Sequence, residues 1–183
     1  MPTRDEYLRQ PLAERLARLA RTPDDLAAAI AARSDATLSR RSATDGWSAK
    51  DVLCHLRDVE ELSILRFHLM LASDDPKVFV VGAPPPDPER WGIGGAVPFP
   101  LDPERWVEDR QYDRSDATLA LAAFRRRRSE ALALLGELSP DQWQRGSIHP
   151  ERGRLTFEEW TAGIASHDDN HLEQLRRALA EQD

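Results

Sequence analysis

A stretch rich in proline and glycine, residues 73–114, divides this 183-residue chain into two helical halves and most constrains its fold. It contains three consecutive prolines at 84–86 and the sequence GIGG at 92–95, which continue neither a helix nor a central strand. Short links make neighbouring helices antiparallel, whereas a connection of this length allows the helices on either side of it to run parallel. Loops this long are uncommon inside a compact domain and are often functional.

Aromatic residues within this stretch indicate that it contacts the rest of the protein. We expect Trp91, Phe99 and Trp106 to pack against the helices or to line a pocket, and Trp91 is a candidate substrate-binding residue. A short strand pair around Lys77–Val81 is compatible with the sequence but is not required by it. The stretch is either a lid or only a crossover.

The remainder of the chain has a helical composition, dominated by alanine, leucine, arginine and glutamate. The first helical segment begins at Pro11. Thr22, Pro23 and the two acids that follow have the features of a second helix start, in a segment that runs to about Ser34. One kinked helix and two separate helices both fit this pattern.

Capping signals mark the starts of two later helices, because Ser48 precedes Asp51 and Thr156 precedes Glu159 by three residues. The long helices after the first segment are therefore expected at about 48–72, 115–137 and 156–181. With the long crossover between the second and third helices, they predict an all-α fold. We expect a single domain over 1–183, a four-helix bundle whose helices run up, down, down and up.

Charge and cysteine content exclude several classes of protein. The chain has 25 basic and 32 acidic residues, and its net charge of -7 disfavours nucleic acids as partners, despite the basic run 125–128. The single cysteine, Cys54, excludes an intrachain disulfide and favours a reducing, cytoplasmic setting. A charged N-terminus and the lack of a long apolar run argue against a signal peptide and a membrane span. We therefore expect a small-molecule substrate.

Histidines occupy positions on two helices where apolar residues are expected. His167 and His171 continue a stripe that begins at Phe157, and residues four apart share one face of a helix, so both rings can reach one ion. His55 replaces an apolar residue in a similar stripe on the second long helix. Three neutral imidazoles suit zinc, nickel, copper or ferrous iron, and three protein ligands leave a coordination position open, as in catalytic sites.

Another explanation is that these are buried histidines that hydrogen-bond within the core without a metal. The remaining two histidines are assigned elsewhere. His68 lies more than three turns beyond His55 and is expected at the surface. His149 is expected in the loop before the last helix, where it is a candidate substrate-binding residue if that loop faces the mouth of the site.

The motifs around the histidines resemble the DinB-like superfamily. They read WSxxxVLxHLxxVE at 47–60, HPxxGxLT at 149–156 and HDxxHxxQL at 167–175. The resemblance spans about residues 12–179 and implies a four-helix bundle of this order. It also implies a three-histidine site for zinc, nickel or a similar ion at His55, His167 and His171, and a homodimer. Members of this family include transferases and isomerases that use low-molecular-weight thiols, and others are named as metal-dependent hydrolases.

Four charged residues are candidates for supporting roles. Glu60 and Asp168 could orient a ligand or act as a general base, or they could be solvated or interhelical residues. One apolar stripe on the third long helix turns Arg128 inward, and a shifted stripe favours Arg127. An inward arginine could hold a carboxylate of a thiol co-substrate or substrate, or could pair with an acid of another helix.

Two functions of different classes follow. The first is a divalent-metal-dependent enzyme whose open three-histidine site activates a thiol for S-transfer or a water for hydrolysis. The resemblance alone favours the thiol. The second is a non-catalytic, metal-binding, stress-related bundle that acts through a protein partner.

Overall fold

Four long helices dominate the computed structural model, which describes residues 1–44, 46–78 and 103–181. They form the predicted four-helix bundle, and shorter elements connect them. The helices in chain order are α1 (Arg4–Leu8), α2 (Leu12–Ile30), α3 (Asp35–Ser39), α4 (Ala49–Ala72), α5 (Pro103–Asp109), α6 (Ala117–Gly136), α7 (Pro140–Trp143) and α8 (Phe157–Ala180). A 3-10 turn (Tyr112–Arg114) and the strands β1 (Gly146–His149) and β2 (Gly153–Thr156) complete the described part.

Contacts between the ends of the helices fix their directions. Arg15, near the start of α2, hydrogen-bonds the carbonyl oxygen of Glu158, near the start of α8, so these two helices run parallel. Phe67, late in α4, packs against Phe157 at the start of α8, so α4 runs the opposite way. The first, second and fourth long helices are therefore up, down and up.

The direction of α6 follows from the two apolar clusters that fill the bundle. Phe124 in the first half of α6 shares a cluster with Leu53 in the first half of α4. Leu135 at the end of α6 shares the other cluster with Met70 at the end of α4. Helices α4 and α6 are therefore parallel, which confirms the up-down-down-up order and explains why a long crossover must connect them.

Both predicted capping boxes are present at the starts of the helices that carry the histidines. The Ser48 hydroxyl accepts a hydrogen bond from the backbone N–H of Asp51, whose carboxylate accepts one from the backbone of Ser48 in return. Thr156 and Glu159 make the same pair of bonds at the start of α8. These caps fix where each helix begins, and hence which residues face the core.

The segment around Pro23 forms one helix, which settles the alternative between one helix and two. A proline inside a helix cannot donate to the carbonyl four residues earlier, here that of Leu19. The guanidinium of Arg128 on α6 donates to this carbonyl at 3.0 Å. The backbone defect in α2 is thus satisfied by a side chain of another helix.

Two parts of the chain that were expected to be loops have regular structure. The end of the crossover predicted over 73–114 contains α5 and the 3-10 turn, and Trp106 of α5 is buried against the bundle as expected. The segment before α8 is an antiparallel hairpin of β1 and β2, with His149 opposite Gly153. Gly153 has a φ of 71°, a left-handed conformation that glycine adopts without strain.

Of the strand pair that the sequence allows around Lys77–Val81, the described residues contain one parallel bridge, between Lys77 and Ile148. Residues 79–81 of that prediction lie outside the described part of the chain. No described helix is both long enough and apolar enough to cross a membrane.

Candidate metal centre

Helices α4 and α8 bring three imidazole rings together. His55 lies in the first half of α4 and is 2% exposed. His167 and His171 lie one turn apart near the middle of α8 and are half-buried. One ring nitrogen from each of the three lies within 4.8 Å of the other two. The structure thus unites the three histidines that the sequence pattern singles out.

The spacing of the rings is compatible with one shared ion. Nε2 of His55 lies 3.2 Å from Nε2 of His167. Two nitrogen ligands of a tetrahedral zinc ion lie roughly 3.3 Å apart when each metal–nitrogen bond is about 2.0–2.1 Å. The ring centroid of His171 lies 4.5 Å from that of His55 and 4.3 Å from that of His167. The three side chains therefore fit a divalent metal, although 3.2 Å also fits one hydrogen bond between two of the rings.

Burial favours the neutral form of His55 and His167. It lowers the pKa of His55 to about 2, and the neighbouring His171 and His167 add to the effect. Burial also lowers the pKa of His167 well below its ordinary value, assisted by His171 and by the positive charge of Arg128. A neutral imidazole has a lone pair on one ring nitrogen, so it can bind a metal without first losing a proton.

Gln174 orients one of the candidate ligands. Nδ1 of His171 lies 2.7 Å from the amide oxygen of Gln174, one turn further along α8. Because an amide oxygen only accepts hydrogen bonds, the ring proton is assigned to Nδ1, which leaves the lone pair of Nε2 for an ion. Nδ1 of His55, by contrast, is buried without a hydrogen-bond partner among the described residues.

Trp47 covers two of the imidazoles. This residue directly precedes the N-cap of α4, and its indole meets His55 edge-on with ring centroids 5.2 Å apart. It stacks nearly parallel to His171 at 6.2 Å, with 19° between the ring planes. The indole shields the rings from water on this side, which strengthens electrostatic interactions within the site.

The candidate carboxylates Glu60 and Asp168 belong to a different cluster. Both oxygens of Glu60 accept hydrogen bonds from Arg128 at 2.7–2.8 Å. Asp168 accepts from Arg128 at 2.6 Å and from the hydroxyl of Thr22 at 2.7 Å. Arg128 is 2% exposed, so this is an interhelical ion pair in the core, the second of the two roles considered for these three residues.

Arg127 faces away from this buried cluster. Its guanidinium donates to the backbone carbonyl of Arg57 at 2.8 Å and pairs with Glu61 at 2.8 Å. Of the two alternative stripes on the third long helix, the structure therefore has the one that turns Arg128 inward. Neither arginine is among the residues that line the cavity next to His167, and their assignment to substrate binding stays a prediction.

A cavity of about 460 Å³ extends from the histidines between α4 and α8 toward the β-hairpin. His167 lines one end of it. Its far wall contains His149, whose ring lies 5.8 Å from that of Trp160, with Arg66 also lining the cavity. The sequence predicts His149 in a loop, but His149 ends β1, and its Nδ1 accepts hydrogen bonds from the backbone N–H groups of Glu151 and Arg152.

His68 is exposed near the end of α4, as expected. Trp91 lies outside the described residues, so its proposed contact with substrate stays a prediction.

Arg66, which no motif marked, is buried in the cavity wall. The sequence does contain a signal for Arg66 as a site residue. Arg66 follows His55 by three full helical turns, so both residues share one face of α4.

Fold and site together define a class, helical bundles with a candidate metal centre between their second and fourth long helices. The chain belongs to the DinB superfamily, whose family model matches residues 18–175. A curated relative from Bacillus subtilis (strain 168), named "Putative metal-dependent hydrolase YfiT", is 24% identical over 165 residues. That match covers 88% of this chain and 82% of the relative.

The solved structure of YfiT from Bacillus subtilis has the same fold. It superposes on the whole of this chain and on 90% of its own with a TM-score of 0.76, at 20% sequence identity. Its description is that of a probable metal-dependent hydrolase with an unusual four-helix bundle topology. At this level of identity, the similarity establishes the fold and leaves the chemistry to be argued from the site.

Proposed function

We propose that this protein is a divalent-metal-dependent hydrolase whose metal ligands are His55, His167 and His171. The convergence of three imidazoles on one point carries the proposal. Three ligands suit a catalytic rather than a closed structural site. The name of the Bacillus subtilis relative supports hydrolysis as the reaction class.

Each part of the site has a definite contribution to this chemistry. A divalent ion bound there supplies a Lewis acid that lowers the pKa of a bound water or thiol toward neutrality. Gln174 holds the ring of His171 in the tautomer that leaves Nε2 available. Trp47 limits the access of bulk water from one side, and the cavity next to His167 gives a substrate access from the other.

Metal content provides the direct test of the site. We expect purified protein to contain close to one divalent ion per chain by elemental analysis, with zinc or nickel as the leading candidates and iron as the next. His171→Ala should lose most of the metal. His68→Ala is the matched control, because it removes an exposed histidine from the same protein and should leave the metal content unchanged. Full metal occupancy in a variant lacking all three cluster histidines would refute the site.

Turnover separates hydrolysis from thiol transfer. Metal-loaded protein should hydrolyse members of an ester and amide panel, and activity should be lost with a chelator and restored by adding the metal back. Parallel reactions contain a model electrophile with glutathione, coenzyme A, bacillithiol or mycothiol. Turnover that requires a thiol and occurs without hydrolysis would show that the nucleophile is a thiol and not water. That result would overturn the hydrolase assignment. Metal-replete protein that is inert in both panels would favour the non-catalytic, partner-binding alternative.

A further inference from the structure

The cavity beside the histidines has a charge opposite to that of the protein. Its lining contains three arginines, Arg4, Arg66 and Arg152, and no acidic residue among the described residues. The whole chain has a net charge of -7, so this positive lining is not a consequence of the overall composition. A concave site of one sign concentrates ligands of the opposite sign.

Arg66 is the buried member of the three. It is 6% exposed, and its guanidinium lies over the ring of Trp160 at 3.8 Å from the ring centroid. This stacking fixes the plane of the guanidinium against the cavity wall. Burial lowers the pKa of Arg66 to about 10, so the side chain is still positively charged at neutral pH.

The other two arginines lie nearer to solvent. Arg152 is an exposed residue of the hairpin turn, which the Nδ1 of His149 holds through its bonds to two backbone N–H groups. Arg4 begins α1, where its Nε and Nη2 pair with the carboxylate of Asp5 at 3.4 Å, and its Nη1 is buried without a hydrogen-bond partner among the described residues. A planar oxyanion is the ligand that matches arginine donors best, because a guanidinium can donate two parallel hydrogen bonds to it.

The cavity between these arginines and the histidines is largely apolar. Val59 and Ile164 line the cavity. Val59 lies between His55 and Arg66 on α4, and Ile164 lies between Trp160 and His167 on α8, so both lie between the two ends. Trp160, beside Arg66, precedes His167 by seven residues of α8, which corresponds to about 10 Å along the helix at 1.5 Å per residue. A ligand that reaches both ends must be elongated, with an apolar middle of this length.

We propose that the cavity binds the anionic end of the substrate, a carboxylate or a phosphate, against Arg66 with help from Arg152. The apolar middle of the substrate lies between Val59 and Ile164, and the bond to be cleaved lies about 10 Å away, next to His167. The position of that bond rests on the proposed function, whereas the anion-binding end does not. The substrate class is therefore an elongated organic acid or phosphate carrying a hydrolysable group at the opposite end.

Binding to metal-free protein tests the anionic end separately from catalysis. The probes are hexanoate, hexyl phosphate and hexan-1-ol, which share one apolar chain and differ in the head group. Binding is followed by NMR through the indole N–H signal of Trp160, which is assigned with Trp160→Phe. Both anions should bind at least tenfold more tightly than the alcohol, and the tighter anion identifies the preferred head group.

Two variants locate the charge that is responsible. Arg66→Met keeps an apolar side chain of similar length over Trp160 and should abolish the preference for anions over hexan-1-ol. Arg152 lies in an exposed turn, so Arg152→Met should leave the packing of the core unchanged. It should weaken anion binding two- to threefold. Arg125→Met, on the outer face of α6, is the control and should bind like the unmodified protein.

Equal affinity for the alcohol and the anions would overturn the proposal, as would an undiminished anion preference in both Arg66→Met and Arg152→Met. These outcomes are distinguishable from failure of the hydrolase. Selective anion binding without any hydrolysis would refute the proposed reaction and support the anion site. Hydrolysis of neutral and anionic esters at equal kcat/KM would support the proposed reaction and refute the anion site.

Discussion

Two buried polar clusters lie between the helices of this bundle, and they differ in how far their polar atoms are hydrogen-bonded within the protein. In the Arg128 cluster, the five N–H donors of the guanidinium all point to the oxygens of Glu60, Asp168 and the backbone of Leu19. In the histidine cluster, nitrogens of neighbouring rings face one another. The first cluster is complete within the protein, whereas the second has lone pairs that a cation would satisfy.

This difference indicates what each cluster contributes. The Arg128 cluster pairs one guanidinium with two carboxylates that would be costly to bury alone, so its contribution is to folding. The histidine cluster contains no ion pair and is less constrained by hydrogen bonds, so its contribution is to binding. Substitutions should therefore separate stability from metal affinity.

Breaking the Arg128 cluster should have the largest effect on stability. Arg128→Met leaves Glu60 and Asp168 buried without their counterion, and we expect a loss of about 3–5 kcal/mol in the free energy of unfolding. Urea denaturation measures it. Arg125→Met is the control, because Arg125 makes an exposed ion pair with Asp24 that is worth about 0–1 kcal/mol. Equal losses in the two variants would contradict the assignment of a buried, closed cluster.

Acid should destabilise the metal-free protein through the histidine cluster. The pKa of His55 is about 2 in the folded protein and 6.5 in the reference state, so below pH 6.5 the unfolded chain takes up a proton that the folded chain does not. Stability is therefore lost as the pH falls through 6.5, by about 2 kcal/mol at pH 5 for His55 alone.

Urea denaturation at pH 7.5 and pH 5 checks this dependence. His55→Leu should reduce the difference between the two pH values. His68→Leu, which removes an exposed histidine of the same helix, should not change it. A free energy of unfolding that is the same at both pH values would show that His55 is not buried in its neutral form.

Removing the hydrogen bond to His171 should have the smallest effect. Gln174→Ala frees the ring to rotate and to change tautomer, and we expect a loss of metal affinity of about tenfold, or roughly 1.4 kcal/mol. Competition with a chromophoric chelator measures it. Gln174→Glu retains an acceptor oxygen and should bind the metal at least as tightly as Gln174→Ala. An unchanged affinity in Gln174→Ala would mean that His171 is oriented by packing alone.

Local signals predicted the helices and the three histidines well. Capping boxes depend on residues three apart, and the pair His167 and His171 depends on one helical turn, so neither requires knowledge of the tertiary structure. His55 was found because a polar residue interrupts an apolar stripe. The short strands β1 and β2 were missed, since four residues carry little periodicity and their pairing depends on the turn at Gly153.

Features that depend on contacts between residues far apart in sequence could not be predicted from these local patterns. Arg127 and Arg128 differ by one position, or about 100° around the helix, and only the acids on α4 and α8 determine which one turns inward. The cavity is closed by residues that are far apart in sequence, such as Arg4 and Trp160. Its positive charge is a property of the assembled fold.

The hydrogen bond from Arg128 to the carbonyl of Leu19 couples positions 23 and 128, which are far apart in sequence. An alanine at position 23 would restore a backbone N–H that competes with the guanidinium for this carbonyl. A methionine at position 128 would leave the carbonyl without its donor as long as Pro23 remains. The effects of Pro23→Ala and Arg128→Met should therefore be non-additive, and evolution should retain or replace these two residues together.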